Sequence, residues 1–389
     1  MSVTFGLEAC LESPPELLRH SRGFGLLSNQ ASVDRNFRHA AERMHKLFPR
    51  RLKKLFGPQH GLWSAQQDNM IETGHGVHPR LGLPVYSLYS DTRRPTQQML
   101  DELDLLVVDL QDVGTRVYTW IWTVMHCLEA CAQKGIPLLV LDRPNPLGGE
   151  VAEGPRLDPA FRSFVGGAAI PMRHGLSFAE LTRCINDQNG IGADLHVVPM
   201  RGWTRSMLWP DTGRAWVPPS PNLPRWEGVF VYPGQVLLEG TNLSEGRGTT
   251  APFEQWGAPF VDPYQIPSVL APRELQGLAM RPVEFEPTFQ KWQGQPCRGQ
   301  WLHVTDLRAF RPYRTTLALL RAVQELWPKD SAWLQPPYEY ERDKMPIDIL
   351  TGGPAVREWV GDWGSWAKLD LLAAPPDDWW SSVRRWLLY

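Results

Sequence analysis

The first half of the chain alternates short apolar segments with longer segments of helical periodicity, and this alternation constrains the fold most strongly. It is the pattern of a parallel sheet covered by helices. It predicts strands at 24–28, 53–56, 85–88, 103–110, 137–141 and 195–199. It predicts helices at 36–48, 96–103, 119–133 and 177–186, the last opening on a capping box of Ser177 and Glu180.

The predicted strands end in polar residues flanked by glycine or proline. These are Ser28-Asn29-Gln30, Gln59-His60 after Gly57-Pro58, Asp109 to Asp112, and Asp142 to Asn145. In an open parallel sheet the ligand crevice lies outside the carboxyl ends of the strands, so we expect these side chains to converge on one edge. The glycine fingerprints of dinucleotide and nucleoside triphosphate sites are absent from the sequence, so the expected frame is Rossmann-like without a nucleotide cofactor.

The length of 389 residues predicts two domains. The prolines in 215–224 exclude helix and indicate an extended connector that crosses the cleft. Beyond it, 228–248 is strand-like and glycine-rich, a strand is expected near 301–305, and helices are expected at 313–326 and 379–388. The predicted architecture is α/β: a Rossmann-like, mostly parallel sheet with helices on both faces in residues 1–228, and a smaller C-terminal α/β domain in 229–389 that closes the cleft.

Composition excludes several classes of function. A net charge of −2 with interspersed signs gives no basic face for nucleic acid. No apolar run reaches the roughly 20 residues that a membrane helix needs, and the first residues lack the pattern of a secretory signal, which predicts a cytoplasmic protein. The 5 cysteines form no CxxC and are expected to be buried thiols, while the 18 tryptophans fit either a core or a sugar-stacking cleft. Oligomeric state is left open, and no metal is expected.

Eight uncommon strings occur in one order along nearly the whole chain: GLLSNQ at 25–30, FGPQHG at 56–61, LPVYSLY at 83–89, DLQDVGTRVYT at 109–119, LDRPNPLGG at 141–149, PMRHGLS at 171–177, PSPNLP at 219–224 and EGTNLSEGRGTT at 239–250. In these motifs the sequence resembles the exo-β-N-acetylmuramidases, the NamZ-like glycoside hydrolases long catalogued as a domain of unknown function. The resemblance implies release of a terminal non-reducing N-acetylmuramic acid from muramyl–glucosamine fragments of peptidoglycan. It also implies a Rossmann-like domain, a smaller α/β domain, a cleft between them, and a role in cell wall recycling.

Gln59 departs from the family pattern, in which many members carry glutamate at this place and use it as an apparent acid/base. An amide cannot exchange a proton near neutral pH, whereas glycosidases of the usual scheme need a proton donor and a second carboxylate. Either another acid replaces it or the protein is a catalytically inactive sugar-binding protein. The candidates on the same loop are Glu72, with Asp68 nearby, and the imidazole of His60.

Further candidate residues follow the strongest strand. Asp109, Gln111 and Asp112 lie at the end of this strand. Two carboxylates so close would push their pKa values apart, which suits acid/base chemistry. The rival interpretation is that one of them caps the next helix. Arg116 and Tyr118 come a turn later, and a guanidinium suits the lactyl carboxylate of muramic acid.

The remaining candidates lie at later loops. Arg143 and Asn145 are expected to bind substrate, with a structural ion pair from Arg143 to Asp109 or Asp112 as the rival interpretation. Candidate substrate-binding residues are also Arg173, His174, Asn222, Glu239, Asn242 and Arg247. Glu245 is expected to supply the second carboxylate, and its rival interpretation is an ion pair with Arg247 that holds the domains together. The glycines around it would let the backbone approach a ligand.

Overall fold

The structure is a computed structural model that describes residues 3–63, 72–362 and 365–389. Its strands are β1 Phe24–Ser28, β2 Leu52–Gly57, β3 Gly76–Val77, β4 Pro84–Ser87, β5 Leu105–Asp109, β6 Leu138–Leu141, β7 Leu195–Val198, β8 Gln255–Ala258, β9 Leu278–Phe285 and β10 Cys297–Val304. Its α-helices are α1 Gly6–Glu12, α2 Glu16–His20, α3 Ala40–Leu47, α4 Trp120–Lys134, α5 Phe178–Gln188, α6 Trp226–Gln235, α7 Ile266–Val269, α8 Pro312–Leu326, α9 Pro346–Thr351, α10 Ala355–Gly361, α11 Lys368–Ala373 and α12 Trp379–Val383.

The first sheet is a doubly wound α/β sheet, as the sequence predicts. Its order is β3-β4-β2-β1-β5-β6-β7, and only the two-residue edge strand β3 runs antiparallel to its neighbour. Numbered along the chain, the six parallel strands therefore stand in the order 3-2-1-4-5-6, in which the direction of winding reverses between β1 and β5. All six predicted strands are present, with shifts of two residues or fewer at their ends.

Successive side chains of the central strands point to opposite faces of the sheet and pack into two apolar layers. Leu105 and Val107 of β5 pack with α1 and α3 on one face, whereas Leu106 and Val108 pack with α4 and α5 on the other. The capping box predicted at the start of α5 is present: Ser177 accepts from the backbone of Glu180, and the Glu180 carboxylate accepts from Ser177 N.

The second half is smaller and has a different sheet. Strands β8, β10 and β9 form an antiparallel sheet with β10 in the centre, and α8 packs against α6 beside it. The chain then returns to the first sheet, where the terminal Tyr389 hydroxyl donates to Asp142 Oδ2 at 2.7 Å. Among the residues that the structure describes, no helix is both long and apolar enough to span a bilayer.

Two sequence-based predictions of secondary structure are wrong. Residues 96–103 form successive turns rather than a helix, because Thr96 caps Met99 N but only one i to i−4 backbone bond follows. The segment 228–248 is helical at its start rather than strand-like. Residues 228–235 belong to α6, and a 3₁₀ helix follows at Val236–Gly240. Burial of nearly every side chain in α6 explains the error, since an apolar run without polar faces shows no helical periodicity.

A buried ion pair occupies the carboxyl edge where the winding reverses. Arg143 donates from Nε to Asp109 Oδ1 at 2.5 Å and from Nη2 to Asp109 Oδ2 at 2.9 Å, and both side chains are almost fully buried. The same guanidinium donates to the carbonyl of Val33 after β1. This pair therefore links the ends of β1, β5 and β6.

We expect Asp109→Ala to lower the free energy of unfolding by about 3–5 kcal/mol, because it leaves the Arg143 guanidinium buried without its counter-charge. Urea denaturation followed by circular dichroism measures the change. The matched control is Asp101→Ala, which removes the exposed partner of Lys134 and should leave stability unchanged. Equal stability of the two variants would contradict the structural role given to the buried pair.

Candidate active site

The main candidate site is a pocket between the first sheet and the second half of the chain, with an open volume of about 520 Å³. Its walls come from three places: the loop after β2 with the start of α4, the connector 215–224, and the second half. The polar lining residues are Gln59, His60, Tyr118, Thr119, Ser220, Asn222, Tyr232, Glu239, Arg247, Tyr338 and Glu339.

One lip of the pocket is the turn at Gln59 and His60. Gly61 N donates to Pro58 O, which closes a β-turn with His60 at the position of positive φ, here 69°. The Thr119 hydroxyl donates to Gln59 Oε1 at 2.6 Å, so the carbonyl end of this amide is occupied by the start of α4. Gln59 can serve the pocket as a hydrogen-bond donor but not as an acid.

The opposite wall carries a chain of alternating charges. Arg247 Nη1 donates to Glu239 Oε1 at 2.6 Å and to Glu245 Oε1 at 3.1 Å, and Lys291 Nζ lies 2.7 Å from Glu245 Oε2. Glu239 and Arg247 line the pocket, whereas Glu245 lies behind them. Burial raises the pKa of Glu245, but Lys291 and Arg247 outweigh it and lower the pKa. Glu245 is therefore placed to fix Arg247, and the rival interpretation of an ion pair describes the geometry.

Glu339 is a second pocket carboxylate that the sequence analysis misses. It is only 4% exposed, and its Oε2 has no hydrogen-bond partner among the described residues. Burial, followed by the nearby Glu239, raises the pKa of Glu339 to about 7. Glu339 lies in QPPYEYER at 335–342, which does not follow a predicted strand. The signal that could have indicated Glu339 is the pair of prolines before an acid flanked by two tyrosines.

The pocket includes strained backbone. Three of its lining residues, His60, Phe253 and Glu339, have positive φ of 69°, 66° and 44°. Non-glycine residues rarely adopt this region, and each instance costs about 1–3 kcal/mol. Such strain persists where the surrounding structure enforces it and is common at active sites.

The structure places several predicted site residues outside the pocket. Asn29 closes the turn after β1 by accepting from Ala31 N and Ser32 Oγ, and Asp109 is bound to Arg143. Gln111 and Arg143 line a different hollow at the point where the winding reverses, with Phe5 and Arg214 on its other side. The connector separates the two spaces, because its Val217 faces that hollow and its Ser220 faces the pocket.

A second group of predicted binding residues contacts the protein's own backbone and buried acids. Arg116 donates to the carbonyls of Pro155, Ile170 and Leu350, and burial lowers the pKa of this guanidinium to about 10. The other members hold neighbouring loops: Asn145 bonds Leu176 O and Leu147 N, Arg173 pairs with Glu153 at 3.0 Å, and Asn242 bonds Asp330 O and Ala332 N.

His174 is fully enclosed as well. Its Nδ1 accepts from Leu176 N at 3.1 Å. Burial, assisted by the neighbouring Arg173, lowers the pKa of His174 to about 3, which keeps the imidazole neutral at physiological pH.

Asp112 is buried behind the pocket. Its Oδ1 accepts from Gly114 N at 2.7 Å, and its Oδ2 has no hydrogen-bond partner within the described part of the chain. Burial raises the pKa of Asp112 to about 7. The carboxyl does not line the pocket, which it approaches only through the nearby Tyr118 and Tyr232.

Glu72 lies on the outer rim. Its side chain is 53% exposed and pairs with Arg93 at 3.1 Å. The Arg93 guanidinium lies between the rings of Tyr89 and Tyr340 and donates to the Tyr340 hydroxyl. Glu72 is thus linked to the segment that carries Glu339 but does not line the pocket, and Asp68 lies outside the described residues.

The glycines of the 239–250 motif allow close packing of protein on protein rather than on a ligand. A side chain at Gly246 would meet the carbonyl of Gln255 at 2.7 Å, and one at Gly248 would meet the carbonyl of Phe289 at 2.7 Å. Both have positive φ. The motif therefore holds Arg247 rigidly at the pocket wall. In the described residues, no group of three or more histidine, cysteine, aspartate or glutamate side chains is arranged to hold a metal ion.

The fold is a doubly wound sheet whose loops meet a second domain around a pocket with two carboxylates. This architecture is suited to hydrolysis of a small polar substrate. The family models for the exo-β-N-acetylmuramidase NamZ match the chain at residues 24–227 (N-terminal) and 230–389 (C-terminal). The chain belongs to this family.

Relatives of known sequence or structure agree with this placement. The peptidoglycan β-N-acetylmuramidase NamZ of Bacillus subtilis (strain 168) is 42% identical over 332 residues, which are 85% of this chain and 80% of that protein. Crystal structures of two DUF1343 family proteins of Bacteroides fragilis NCTC 9343 superpose with TM-scores of 0.86 and 0.74 at 30% and 25% identity, each over 100% of this chain and 99% of theirs.

We expect Asp112→Asn to raise the free energy of unfolding at pH 8 by on the order of 4 kcal/mol. A pKa raised from 3.8 to about 7 means that the folded state disfavours the ionised carboxylate, at about 1.4 kcal/mol per pKa unit. The wild type should lose this stability as pH rises from about 4 to about 7, and the variant should not.

Chemical denaturation at pH 4 and pH 8 measures both effects. The control is Asp104→Asn, since Asp104 accepts hydrogen bonds from Ser21, Arg22 and Gly23 that lower its pKa against the effect of partial burial, and its loss should destabilise the protein above pH 4. The same sign of change in both variants would refute the environment assigned to Asp112.

Proposed function

We propose that the protein is a glycoside hydrolase that releases terminal non-reducing N-acetylmuramic acid from peptidoglycan fragments. The observation that carries the proposal is the match to the NamZ family over residues 24–227 and 230–389, together with a pocket that holds two carboxylates and a guanidinium between the two halves. Hydrolysis of a glycosidic bond needs a proton donor and a second carboxylate that acts as nucleophile or base. Glu239 and Glu339 are the two carboxylates that line the pocket.

Recognition of the sugar would use the remaining lining groups. Asn222 on the connector and the amide of Gln59 are placed to hydrogen-bond an acetamido or hydroxyl group. Trp120 and Phe253 also line the pocket, where their nearly fully buried rings form its apolar side. Arg247 is already paired with two carboxylates, so a lactyl carboxylate would compete with Glu239 for it.

The second candidate function is sugar binding without turnover. It is favoured by one observation: Gln59 stands where the PheGlyPro-x-HisGly turn presents its side chain to the pocket, and an amide there cannot donate a catalytic proton. The presence of Glu239 and Glu339 in the same pocket weighs against it.

We also propose a cytoplasmic location, where the protein would act on imported wall fragments during recycling. All five cysteines are free and buried, which fits a reducing compartment. Cell fractionation of the source organism with an antibody against the protein tests this location.

The purified protein should hydrolyse 4-nitrophenyl β-N-acetylmuraminide and leave the corresponding glucosaminide intact. It should also release free N-acetylmuramic acid from a muramyl–glucosamine disaccharide, because the pocket is proposed to enclose one terminal residue. Absorbance and liquid chromatography measure the two reactions. Saturable binding of the muraminide without turnover between pH 4 and pH 9 would favour the inactive sugar-binding protein, and neither binding nor turnover would overturn both candidates.

A further inference from the structure

We propose that Glu339 is the proton donor of the hydrolysis, the group that protonates the leaving oxygen. This inference rests on the proposed function. The proton passes from the Glu339 carboxyl to the bridging oxygen as the bond between that oxygen and the anomeric carbon breaks. Water supplies the hydroxyl that ends on the anomeric carbon, and the remaining proton of that water restores the carboxyl.

The position of Glu339 is the first reason. Its side chain lines the pocket yet is only 4% exposed, and Oε2 has no hydrogen-bond partner among the residues that the structure describes. A buried carboxyl oxygen without a partner is costly unless the carboxyl is protonated or a ligand supplies the missing group. The leaving oxygen of a bound glycoside is such a group.

The two pocket carboxylates occupy contrasting environments. Glu239 accepts from Arg247 at Oε1 and from the Tyr338 hydroxyl at Oε2 at 2.7 Å, so both of its oxygens serve as acceptors. Glu339 lacks such a set of donors, and burial and the charge of Glu239 raise its pKa to about 7. Glu339 is thus the one of the two that is suited to act as the acid.

The titratable groups around Glu339 come from both halves of the chain. Burial and the charge of Glu239 raise the pKa of Glu339. Arg247 and Arg93 lower this pKa, but by a smaller amount. The hydroxyls of Tyr89, Tyr232 and Tyr338 and the imidazole of His60 complete the titratable surroundings. Arg93 is bound by Glu72 and Tyr340, and among the described residues Arg247 is the cation that lines the pocket together with Glu339.

The backbone that carries Glu339 gives a second, independent reason. Tyr338 and Glu341 exchange both backbone hydrogen bonds at 2.9 Å, and the two residues between them, Glu339 and Tyr340, have φ of 44° and 71°. This is the pattern of a type I′ turn, which normally selects Asn-Gly. A bulky acid and a tyrosine at these positions are strained, and strain of this kind is typical of residues held for function.

The other acids near the pocket are placed differently. Gln59 has no proton to give, and Glu245 lies behind Arg247 in contact with two cations. Glu72 is half-exposed on the rim in an ion pair. Among the described carboxyls, Glu339 alone lines the pocket with an unpartnered oxygen.

The test compares leaving groups. Glu339→Gln should lower kcat about 10²–10⁴-fold on the muramyl–glucosamine disaccharide, whose leaving alcohol needs a proton, and about tenfold or less on a 2,4-dinitrophenyl muraminide, whose leaving group does not. The alkaline fall of kcat/KM on the disaccharide, expected near pH 7 in the wild type, should disappear in the variant. Glu341→Gln, two residues away in an ion pair with Lys344, is the matched control and should behave as wild type.

A further variant separates catalysis from folding. Glu339→Asn places a residue that tolerates positive φ in the turn, so its melting temperature should equal or exceed that of the wild type while its disaccharide activity is lost. Equal losses on both substrates, or an alkaline limb that remains in Glu339→Gln and vanishes in His60→Gln, would overturn the assignment and leave the muramidase function standing. Failure of the wild type on every muraminide would overturn the function itself and this assignment with it.

Discussion

The requirement that buried charges be paired determines which polar residues of this protein are available to a ligand. The carboxyl edge of the first sheet carries a high density of charged and amide side chains, and most of them satisfy one another. Asp109 holds Arg143, Glu153 holds Arg173, and Arg116 is bound to three carbonyls. Removing one member of such a set leaves an uncompensated buried charge, which is why these residues fix the loops rather than meet a substrate.

The pocket forms where this internal pairing ends. On the first sheet it receives an amide and an imidazole from the turn after β2, and on the second half it receives Glu239, Arg247 and Glu339. The wall of alternating charges from Lys291 through Glu245, Arg247 and Glu239 is rigid because each charge is held by the next. Beside this series, Glu339 is the pocket-lining carboxylate with an oxygen that has no hydrogen-bond partner in the described structure, and its backbone is held in a strained turn.

The fold could be predicted from the sequence to a large extent because its signals are local. The β1 bounds match the prediction, and the others shift slightly, since apolar runs and their polar ends are written in consecutive residues. The predictions of a helix at 96–103 and of a strand-like segment at 228–248 are wrong because short or wholly buried apolar runs do not distinguish helix, strand and turn.

The candidate site was harder to predict. Gln59, His60, Tyr118, Asn222, Glu239 and Arg247 were identified from motifs and do line the pocket, but a strand-end position does not tell whether a side chain will face a ligand or another side chain. Glu339 was missed because tertiary packing brings it to the pocket from a position 280 residues after Gln59.

The central claim is that a muramic acid unit binds between the Gln59 turn and the Glu239–Glu339 wall. A crystal structure of the Glu339→Gln variant with a muramyl–glucosamine disaccharide tests it most directly. The account predicts the bridging oxygen within about 3.2 Å of the side chain at position 339 and the terminal ring between Gln59 and Asn222 in the pocket. Disaccharide density in the hollow lined by Phe5, Gln111 and Arg143, or a bridging oxygen next to Glu72 at the rim, would contradict it.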